Sequence, residues 1–361
     1  MKKIAIIVAA LCLLLAGCQD GAIRRLSNEG YDFKPGSVRN DTGSASVNVY
    51  NWGEYMNEDL NRAFELVTGI KVNYTTYQTN EMLYSILATG GSSYDVVVPS
   101  DYMIGRLIGE DLLLPLDFAN IPNFADVDPA HKNPDYDPQN IYTVPYMWGT
   151  VGIVYDTTRV SAPIDSWGAL FDPQYAGQIL MFDNSRDALG IALKYLGCSY
   201  NTTDEAELRA AYDLLVTQKP LVQAYVMDQI FEKMEGGEAI LGPYYAGDAI
   251  MMMESNGDLA FAVPKEGSNI FADAFCVPKG SANKAAAEMY INFMCGADAG
   301  MANVSAVGYS TPLLSVYEAL DEDVQNDGVS YPRDLTPFEP FANLPRATLD
   351  LYARLWTDLF R

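Results

Sequence analysis

Residues 142–155 read YTVPYMWGTVGIVY, and this stretch decides the fold. Aromatic and β-branched side chains dominate it, which favours one extended strand with a glycine near its middle. Most strands in globular proteins have about 3–10 residues, so this strand is unusually long. A strand of that length can leave one lobe of a protein and enter another. We therefore predict two lobes that share it.

The chain before that strand alternates strands with helices. Strands are predicted at 47–52, 70–77 and 94–98, and the last is a continuous apolar run of the kind that a parallel sheet buries on both faces. Between these strands, Thr79 has the side chain of a helix N-cap and Gly69 suits a helix end. Strands that alternate with helices are typical of βαβ units, so we predict an α/β fold.

The chain after residue 155 continues this alternation. Residues 117–141, before the long strand, are rich in Pro, Asn and Asp, and they predict a loop with little regular structure. Further strands are predicted at 179–182, 221–226, 239–241, 259–263 and 272–277. Further helices are predicted at 188–196, 204–216, 229–234, 248–255, 284–294, 297–305 and 346–360. The second α/β series supplies most of the second lobe.

The amino-acid composition argues against several classes of function. The 361 residues include 47 acidic and 23 basic ones, for a net charge of −24. A nucleic-acid-binding protein needs a basic surface, so this class is not expected. His131 is the only histidine, which argues against histidine-based catalysis and against a zinc site with several histidines. The acidity, together with 24 tyrosines, 14 phenylalanines and 4 tryptophans, suits a cationic ligand.

Residues 1–17 have the pattern of a secretory signal peptide. Two lysines precede twelve apolar residues at 4–15, a run too short to span a bilayer. The sequence LAGC at 15–18 resembles a bacterial lipobox, which implies cleavage before Cys18 and acylation of that residue. The alternative is a plain secretory signal with a chance cysteine. Residues 18–45 lack apolar periodicity, and we predict that they form a flexible tether behind the lipidated cysteine.

Three cysteines remain in the folded part of the chain, namely Cys198, Cys276 and Cys295. An odd number outside the cytoplasm leaves at least one free thiol, so no disulfide framework is implied. A nucleophilic cysteine would need a positioned histidine, and the chain has only one. The two cysteines at 276 and 295 lie in apolar runs, where we expect them to be buried small hydrophobes.

Six short motifs follow one another along the mature chain. They are NWGEY at 51–55, YDVVVPS at 94–100, VPYMWGT at 144–150, YAGD at 245–248, FAVPKEGS at 261–268 and GYSTP at 308–312. Together, from about residue 47 to residue 360, they resemble the bacterial spermidine/putrescine-binding proteins, which are extracytoplasmic receptors of ABC-type polyamine importers. The resemblance implies a receptor that delivers putrescine or spermidine to an importer, and it implies no enzyme, metal or cofactor.

The same resemblance implies a fold and a setting. We expect an α/β, two-lobe, periplasmic-binding-protein-like fold of type II with the ligand cleft between the lobes. Lobe one is expected at 46–149 plus 273–310, and lobe two at 150–272 plus 311–361. The protein is expected to be a monomer on the extracytoplasmic face of the cell membrane, anchored through a lipid on Cys18, with an ABC transporter permease as its partner.

The resemblance also implies a ligand-binding site, and its residues suit a polyamine. A polyamine is a row of ammonium groups separated by methylenes. Carboxylates must pair with the ammoniums, because a buried unpaired charge is costly, and aromatic faces attract cations and cover methylenes. Carried over motif by motif, the expected ligand-binding residues are Trp52, Glu54, Tyr55, Ser100, Tyr102, Asn184, Asp187, Tyr245, Asp248, Phe271, Asp273 and Tyr309.

Several of these residues depart from the family pattern or have a structural alternative. Phe271 stands where tryptophan is commoner. Asn184 and Asp187 stand where the spermidine-type pattern has acids, so this end of the cleft loses one charge and permits a shorter diamine. Ser100, Asn184 and Asp248 also suit ordinary roles at helix starts. The amide-bearing residue of the family near the last helix has no clear match around 339–342.

Other functions stay open at this point. A ferric-ion receptor of the same fold would hold its metal with paired tyrosines, and Tyr244 and Tyr245 form such a pair. An extracellular glycoside hydrolase needs two carboxylates beside its substrate, for which Glu54, Asp248 and Asp273 are available. A receptor that signals instead of transporting would use the same liganded form as a transport receptor.

Overall fold

The computed structural model describes residues 21–90 and 93–361, which form an α/β protein built on two sheets. The helices are α1 Gly21–Asn28, α2 Asp59–Thr68, α3 Asn80–Ala88, α4 Asp101–Gly109, α5 Ser185–Tyr195, α6 Glu205–Gln218, α7 Ile230–Glu235, α8 Ala246–Ser255, α9 Lys284–Met294, α10 Ala297–Val307, α11 Leu314–Ala319, α12 Glu322–Gln325 and α13 Arg346–Leu359. The strands are β1 Ser46–Trp52, β2 Lys71–Tyr77, β3 Val96–Val97, β4 Val144–Asp156, β5 Ile179–Phe182, β6 Val222–Val226, β7 Leu241–Tyr245, β8 Leu259–Ala262, β9 Ser268–Phe275 and β10 Phe338–Glu339.

The first sheet has three parallel strands in the order β2–β1–β3. Val47 and Val49 of β1 belong to a buried core with Phe64 of α2. Tyr50, on the opposite face of the strand, belongs to a second core with Leu83 of α3. Because successive side chains of a strand point to opposite faces, helices cover this sheet on both sides. This is the burial that the apolar run in the third strand predicts.

Local signals place the ends of these elements. The Thr79 side chain accepts a hydrogen bond from a backbone N–H of the first turn of α3, as predicted, and Gly69 ends α2 with φ of 77°. The strand predicted at 94–98 is shorter than expected. The Val98 carbonyl accepts a hydrogen bond from Trp52 Nε1 at 2.8 Å instead of joining the ladder. The Trp52 side chain therefore occupies the carbonyl that follows β3, and the strand ends at Val97.

The second sheet has the order β10–β9–β4–β7–β5–β6, with β8 also paired to β4. β4 is shared, since residues 144–150 pair with β9 and residues 151–156 pair with β7 and β8. Isolated bridges from Val97 to Cys276 and from Ser100 to Asp273 connect β9 with the first sheet. β4 and β9 therefore run between the two halves of the molecule, and the long strand predicted at 142–155 is confirmed.

The other elements lie close to their predicted positions, with different ends. β7 begins at Leu241 and continues to Tyr245, instead of occupying 239–241, because its residues pair with the second half of β4. β9 begins at Ser268, where it also pairs with β10. Residues 117–141 hold three short 3-10 turns, and α13 packs on α5 and α6.

The stretch predicted to be a flexible tether is different in the structure. Residues 21–45, which we name the N-terminal arm, lie against the helices of the first sheet. Leu26 of α1 is 1% exposed, and the backbone N–H groups of Gly36 and Val38 donate to carbonyls of α2 at 2.9 and 3.2 Å. The predicted signal peptide and Cys18 lie outside the described residues. Among the residues that are described, no helix has the length and apolarity needed to cross a membrane.

Candidate functional site

One cavity, which we name the cleft, lies where the two sheets meet and encloses about 740 Å³ counted out to its open mouth. Its first wall comes from β1–β3, from the helix starts that follow them and from β9. Its second wall comes from residues that end or follow β5, β6 and β7. The cleft is lined by eleven of the twelve predicted residues, namely Trp52, Tyr55, Ser100, Tyr102, Asn184, Asp187, Tyr245, Asp248, Phe271, Asp273 and Tyr309.

Backbone carbonyls fix the aromatic part of the first wall. Trp52 Nε1 and the Tyr77 hydroxyl both donate to the Val98 carbonyl, at 2.8 and 2.7 Å. The two rings lie 4.5 Å apart between centroids. Because each ring is held by its polar end, its orientation is set before any ligand arrives. Tyr77 was not predicted from the sequence, although it is the last residue of β2.

The starts of α3 and α4 place two further acids, Glu81 and Asp101, at the first wall. The Tyr102 hydroxyl donates to Glu81 Oε1 at 3.1 Å, and the Tyr102 backbone N–H lies 2.6 Å from Asp101 Oδ1. Burial raises the pKa of Asp101 to about 8, although the Tyr102 N–H and the Arg186 guanidinium oppose the shift. Ser100 is the N-cap residue of α4 and makes no side-chain cap bond, so its hydroxyl is available to the cleft.

Asp273 is the acid of β9, and it is 4% exposed. Its Oδ1 has no hydrogen-bond partner among the described residues, and neither has the nearby Tyr55 hydroxyl. Burial raises the pKa of Asp273 to about 6, and the Ser100 and Tyr55 hydroxyls offset part of the shift. A buried carboxylate with an unpartnered oxygen costs free energy unless a cation or a donor reaches it.

The second wall begins with the turn between β5 and α5. Asn184 caps α5, since its Oδ1 accepts from the Asp187 backbone N–H at 2.8 Å, and it also lines the cleft. The capping role and the cleft role of this residue therefore coexist. The Tyr245 hydroxyl donates to Asp187 Oδ2 at 3.1 Å. Burial raises the pKa of Asp187 to about 6, and the Asn184 side-chain amide and the Tyr245 hydroxyl oppose this shift.

Asp248 and Tyr309 are joined by a short hydrogen bond inside the cleft. The Tyr309 hydroxyl donates to Asp248 Oδ2 at 2.7 Å, and both residues are buried. Burial raises the pKa of Asp248 well above its usual range, although the Tyr309 hydroxyl lowers it. The Tyr309 ring lies directly over Gly247, where a Cβ would collide with it. The ring therefore reaches the acid only because residue 247 is glycine.

Glu54 is the predicted residue that the structure does not bring into the cleft. It is exposed, has φ of 42° and is not a lining residue, although its carboxylate is near enough to help raise the pKa values of Asp228 and Asp248. The acid that lines the cleft beside this turn is Asp228, which follows β6. A Cβ on Gly53 would collide with the Asp228 carboxylate, and the Tyr244 hydroxyl lies 3.4 Å from Asp228 Oδ1.

Asp228 was missed, although the sequence held a signal for it. The residues after β5 and β7 were predicted from motifs of the family that the sequence resembles, and they lie beyond the carboxyl ends of strands, where ligands of open α/β sheets bind. Asp228 follows the predicted strand at 221–226 in the same way, but no motif marks it. The other lining residues that were not predicted are Gly53, Tyr77, Gln78, Thr79, Asn80, Glu81, Asp101, Met227, Tyr244, Asn269 and Phe341.

The chemistry of the lining suits a cation with more than one charge. Six carboxylates line the cleft, from Glu81, Asp101, Asp187, Asp228, Asp248 and Asp273, and none of the described lining residues is Lys, Arg or His. Aromatic rings lie among them, and Tyr245 and Phe271 meet edge to face at 5.4 Å between centroids. Such a surface can pair with ammonium groups and cover the methylenes that join them.

The tyrosine pair does not resemble a ferric-ion site. The Tyr244 hydroxyl is directed at Asp228, whereas the Tyr245 hydroxyl is directed at Asp187. Burial raises the pKa of both phenols well above their usual range, which disfavours the phenolates that Fe(III) prefers. In residues 21–90 and 93–361, no group of three His, Cys, Asp or Glu residues could hold a metal ion.

Comparisons with known proteins agree with this geometry. The family model described as bacterial extracellular solute-binding protein matches residues 59–329. The spermidine/putrescine-binding periplasmic protein of Escherichia coli K12 is 35% identical over 285 residues, which are 78% of this chain and 82% of that protein.

Solved structures extend the likeness to the fold. The spermidine/putrescine ABC transporter substrate-binding protein of Streptococcus pneumoniae has 35% identity and a TM-score of 0.73, over 88% of this chain and 99% of that one. A lipoprotein of Treponema pallidum has 26% identity and a TM-score of 0.78, over 88% of this chain and 100% of that one. The predicted two-lobe periplasmic-binding-protein-like fold is thus confirmed. The chain belongs to the family of bacterial extracellular solute-binding proteins.

Proposed function

We propose that this protein is an extracytoplasmic polyamine receptor that delivers putrescine or spermidine to an ABC importer. The observation that carries the proposal is the cleft itself, in which six carboxylates and several aromatic rings converge without a lining cation. The relative from Escherichia coli is named for the same ligands. The family supplies the solute-binding component of a transporter, so the protein has a binding role and no catalytic step is assigned to it.

Three of the six acids bind the ligand directly in this proposal. Asp273 takes one ammonium, since no residue within 21–90 and 93–361 donates a hydrogen bond to its Oδ1. Asp187 and Asp248 take a second ammonium from the opposite wall, while Tyr245 and Phe271 cover the methylenes between them. A short diamine fits this division, because Asn184 replaces one acid at the α5 end with a neutral amide. Trp52, Tyr55, Ser100, Tyr102 and Tyr309 complete the lining.

Binding is coupled to closure of the two lobes, which we assign to residues 46–149 plus 273–310 and residues 150–272 plus 311–361. Ligand binding favours closure only if the ligand has a higher affinity for the closed state than for the open one. The acids supply that difference, because Asp273 lies on the first wall whereas Asp187 and Asp248 lie on the second. Small-angle scattering should show compaction on addition of putrescine, and an unchanged radius at saturation would contradict the closure step.

Thermal melting of residues 21–361 against a ligand panel tests the function. The panel contains putrescine, spermidine, spermine, an iron(III) chelate and a set of sugars. A ligand at a hundredfold excess over its dissociation constant should add about 2.7 kcal/mol to the free energy of unfolding, which is a visible shift. We expect shifts with polyamines alone. A shift with iron or a sugar instead, or glycoside turnover, would overturn the proposal in favour of the ferric receptor or the hydrolase.

The setting of the receptor is part of the proposal. The LAGC sequence at 15–18 would place a lipid anchor on Cys18, and the relative from Treponema pallidum is described as a lipoprotein. Mass spectrometry of the membrane fraction should find the acylated Cys18 peptide. Light scattering should find a monomer, and cross-linking with the ligand present should capture a permease partner. A cleaved, unacylated chain in the soluble fraction would contradict the anchor without affecting polyamine binding.

A further inference from the structure

The N-terminal arm carries an inference about how the protein is oriented. If residues 19–45 were free, the body could move up to roughly 90 Å from an anchor on Cys18, at about 3.3–3.6 Å for each extended residue. The arm is bound to the body from Gly21 onward. Only three Cα–Cα steps then separate Cys18 from α1, and these span at most about 11 Å.

Several contacts hold the arm in place. Leu26 is 1% exposed in the core beneath α1, and Tyr31 and Phe33 also pack against that core. Arg25 Nε donates to Asp59 Oδ2 at 2.6 Å, which joins α1 to the first turn of α2. This pair is partly exposed and contributes at most about 1 kcal/mol. The buried apolar side chains therefore supply most of the binding of the arm.

Charge favours the same side of the molecule. Residues 21–45 contain four basic and three acidic residues, whereas the whole chain has a net charge of −24. The exposed Arg24 stands on α1, close to the point where the anchor joins. Basic residues near an anionic bilayer are attracted to it, while the acidic remainder of the protein is repelled. Arg25, Lys34 and Arg39 are each paired with an acid, so the arm is close to neutral and is repelled less by anionic headgroups than the acidic remainder is.

We propose that the docked N-terminal arm holds the α1–α2 face of the first half of the protein against the lipid headgroups. The partner is the bilayer surface, and the arm acts as a short strut rather than as a long tether. This inference rests on the lipid anchor proposed above and is independent of the ligand that the cleft binds. In this orientation, the side of the receptor opposite the α1–α2 face is turned away from the membrane.

Energy transfer to the membrane tests this orientation. The full-length, acylated chain is reconstituted in phosphatidylcholine/phosphatidylglycerol vesicles that carry a headgroup acceptor dye. In a Cys198→Ser background, donor dye is attached through Glu58→Cys, beside α2, or through Ala210→Cys on α6, since Cys276 and Cys295 are buried. We expect transfer from the Glu58→Cys position to be several-fold more efficient than transfer from the Ala210→Cys position.

A matched pair of arm variants isolates the docking. Leu26→Asp places a charge in the buried contact and should release the arm, which lowers transfer from the Glu58→Cys position toward the Ala210→Cys value. Ser27→Asp adds the same charge at an exposed neighbour, so it controls for the charge itself and should lower transfer much less than Leu26→Asp does. Equal transfer from both positions in the acylated protein would overturn the inference, as would insensitivity to Leu26→Asp. An unacylated Cys18 would overturn the anchor and this inference together, while putrescine melting shifts would still report on the cleft.

Discussion

The buried polar groups of the two cleft walls differ in their hydrogen-bond partners. On the first wall, Trp52 Nε1 and the Tyr77 hydroxyl bind a backbone carbonyl, and Asp273 Oδ1 is left without a partner. On the second wall, Asp187 accepts a tyrosine hydroxyl, as Asp248 does. When no ligand is bound, a buried carboxylate costs less free energy if it already accepts a hydrogen bond from the protein. On the first wall, one buried oxygen of Asp273 accepts no hydrogen bond from the described residues, although the Ser100 and Tyr55 hydroxyls favour its charged form, whereas each of these two acids of the second wall accepts a tyrosine hydroxyl.

The largest effect should come from Asp273→Asn. Removal of one partner of a buried charge pair costs about 2–5 kcal/mol of binding free energy, or roughly thirty- to several-thousandfold in affinity. The same change at Asp248 should cost less, because the Tyr309 hydroxyl remains to bind the amide oxygen. Isothermal titration calorimetry with putrescine measures both variants.

Melting of the ligand-free variants is the control for this comparison. Asp273→Asn should melt at the wild-type temperature or above it, since the substitution removes a buried carboxylate with an unpartnered oxygen. Wild-type affinity in this variant would remove Asp273 from the site. A larger loss for Asp248→Asn than for Asp273→Asn would reverse the ranking of the two walls.

A smaller effect should come from Tyr245→Ala on the second wall. One aromatic face contributes about 0.5–2 kcal/mol of cation–π attraction, so affinity should fall roughly two- to thirtyfold. Tyr245→Phe keeps the ring and loses only the hydroxyl that donates to Asp187. We expect it to lie between wild type and Tyr245→Ala in calorimetric titrations. If melting collapses in Tyr245→Ala, this residue belongs to the core and not to the site.

The carboxylates should also make binding depend on pH. Burial raises the pKa of Asp187 and of Asp273 to about 6 in the ligand-free protein. A bound ammonium favours the ionised form and lowers both pKa values, so binding releases protons. Affinity should therefore fall several-fold as the pH falls through about 6. Titrations in two buffers of different ionisation enthalpy measure the released protons, and identical apparent enthalpies at pH 6 would contradict the coupling.

The raised pKa values also determine whether the free energy of unfolding rises or falls with pH. The folded pKa of Asp273 lies above its ordinary value of 3.8, so the ligand-free folded state binds more protons than the unfolded chain between these values. Its contribution to the free energy of unfolding is complete below about 4 and is lost as the pH rises through about 6. Saturating putrescine should counter that loss. The putrescine-induced melting shift should thus be larger at pH 8 than at pH 5, and smaller in Asp273→Asn.

The smallest effect should come from Glu54→Gln, because Glu54 is exposed and does not line the cleft. We expect less than a twofold change in putrescine affinity. Asp228→Asn is the matched substitution on the acid that does line this part of the cleft, and it should weaken binding several-fold. Calorimetry on the two variants decides between them, and a larger effect at Glu54 would return this residue to the site.

Much of the fold could be predicted because its signals are local. β4 has a long run of aromatic and β-branched residues, and α3 has its capping threonine in sequence next to it. The N-terminal arm could not be predicted in this way. Its contacts come from single apolar side chains such as Leu26 and Phe33, and Phe33 meets Phe293, which lies far along the chain. Isolated apolar residues leave no periodic signal.

The site was predictable where a motif lies at a strand end. Ser100, Asn184 and Tyr245 follow or end strands, and all three line the cleft. Glu54 could not be placed, since its direction depends on a positive φ that the motif does not reveal. The approach of Asp228 to Gly53 depends on how the two walls meet, and that relation is absent from local sequence.

The six carboxylates that line the cleft also affect how an importer would distinguish an empty receptor from a ligand-bound one. When the walls come together without a cation, like charges approach in a medium of low dielectric constant, and their repulsion opposes the closed form. We therefore expect the ionised carboxylates to favour the open form of an empty receptor, so that an importer which responds to closed receptors would rarely engage an empty one. The side chains that select the ligand would thus also determine how often the ligand-free receptor adopts the closed form.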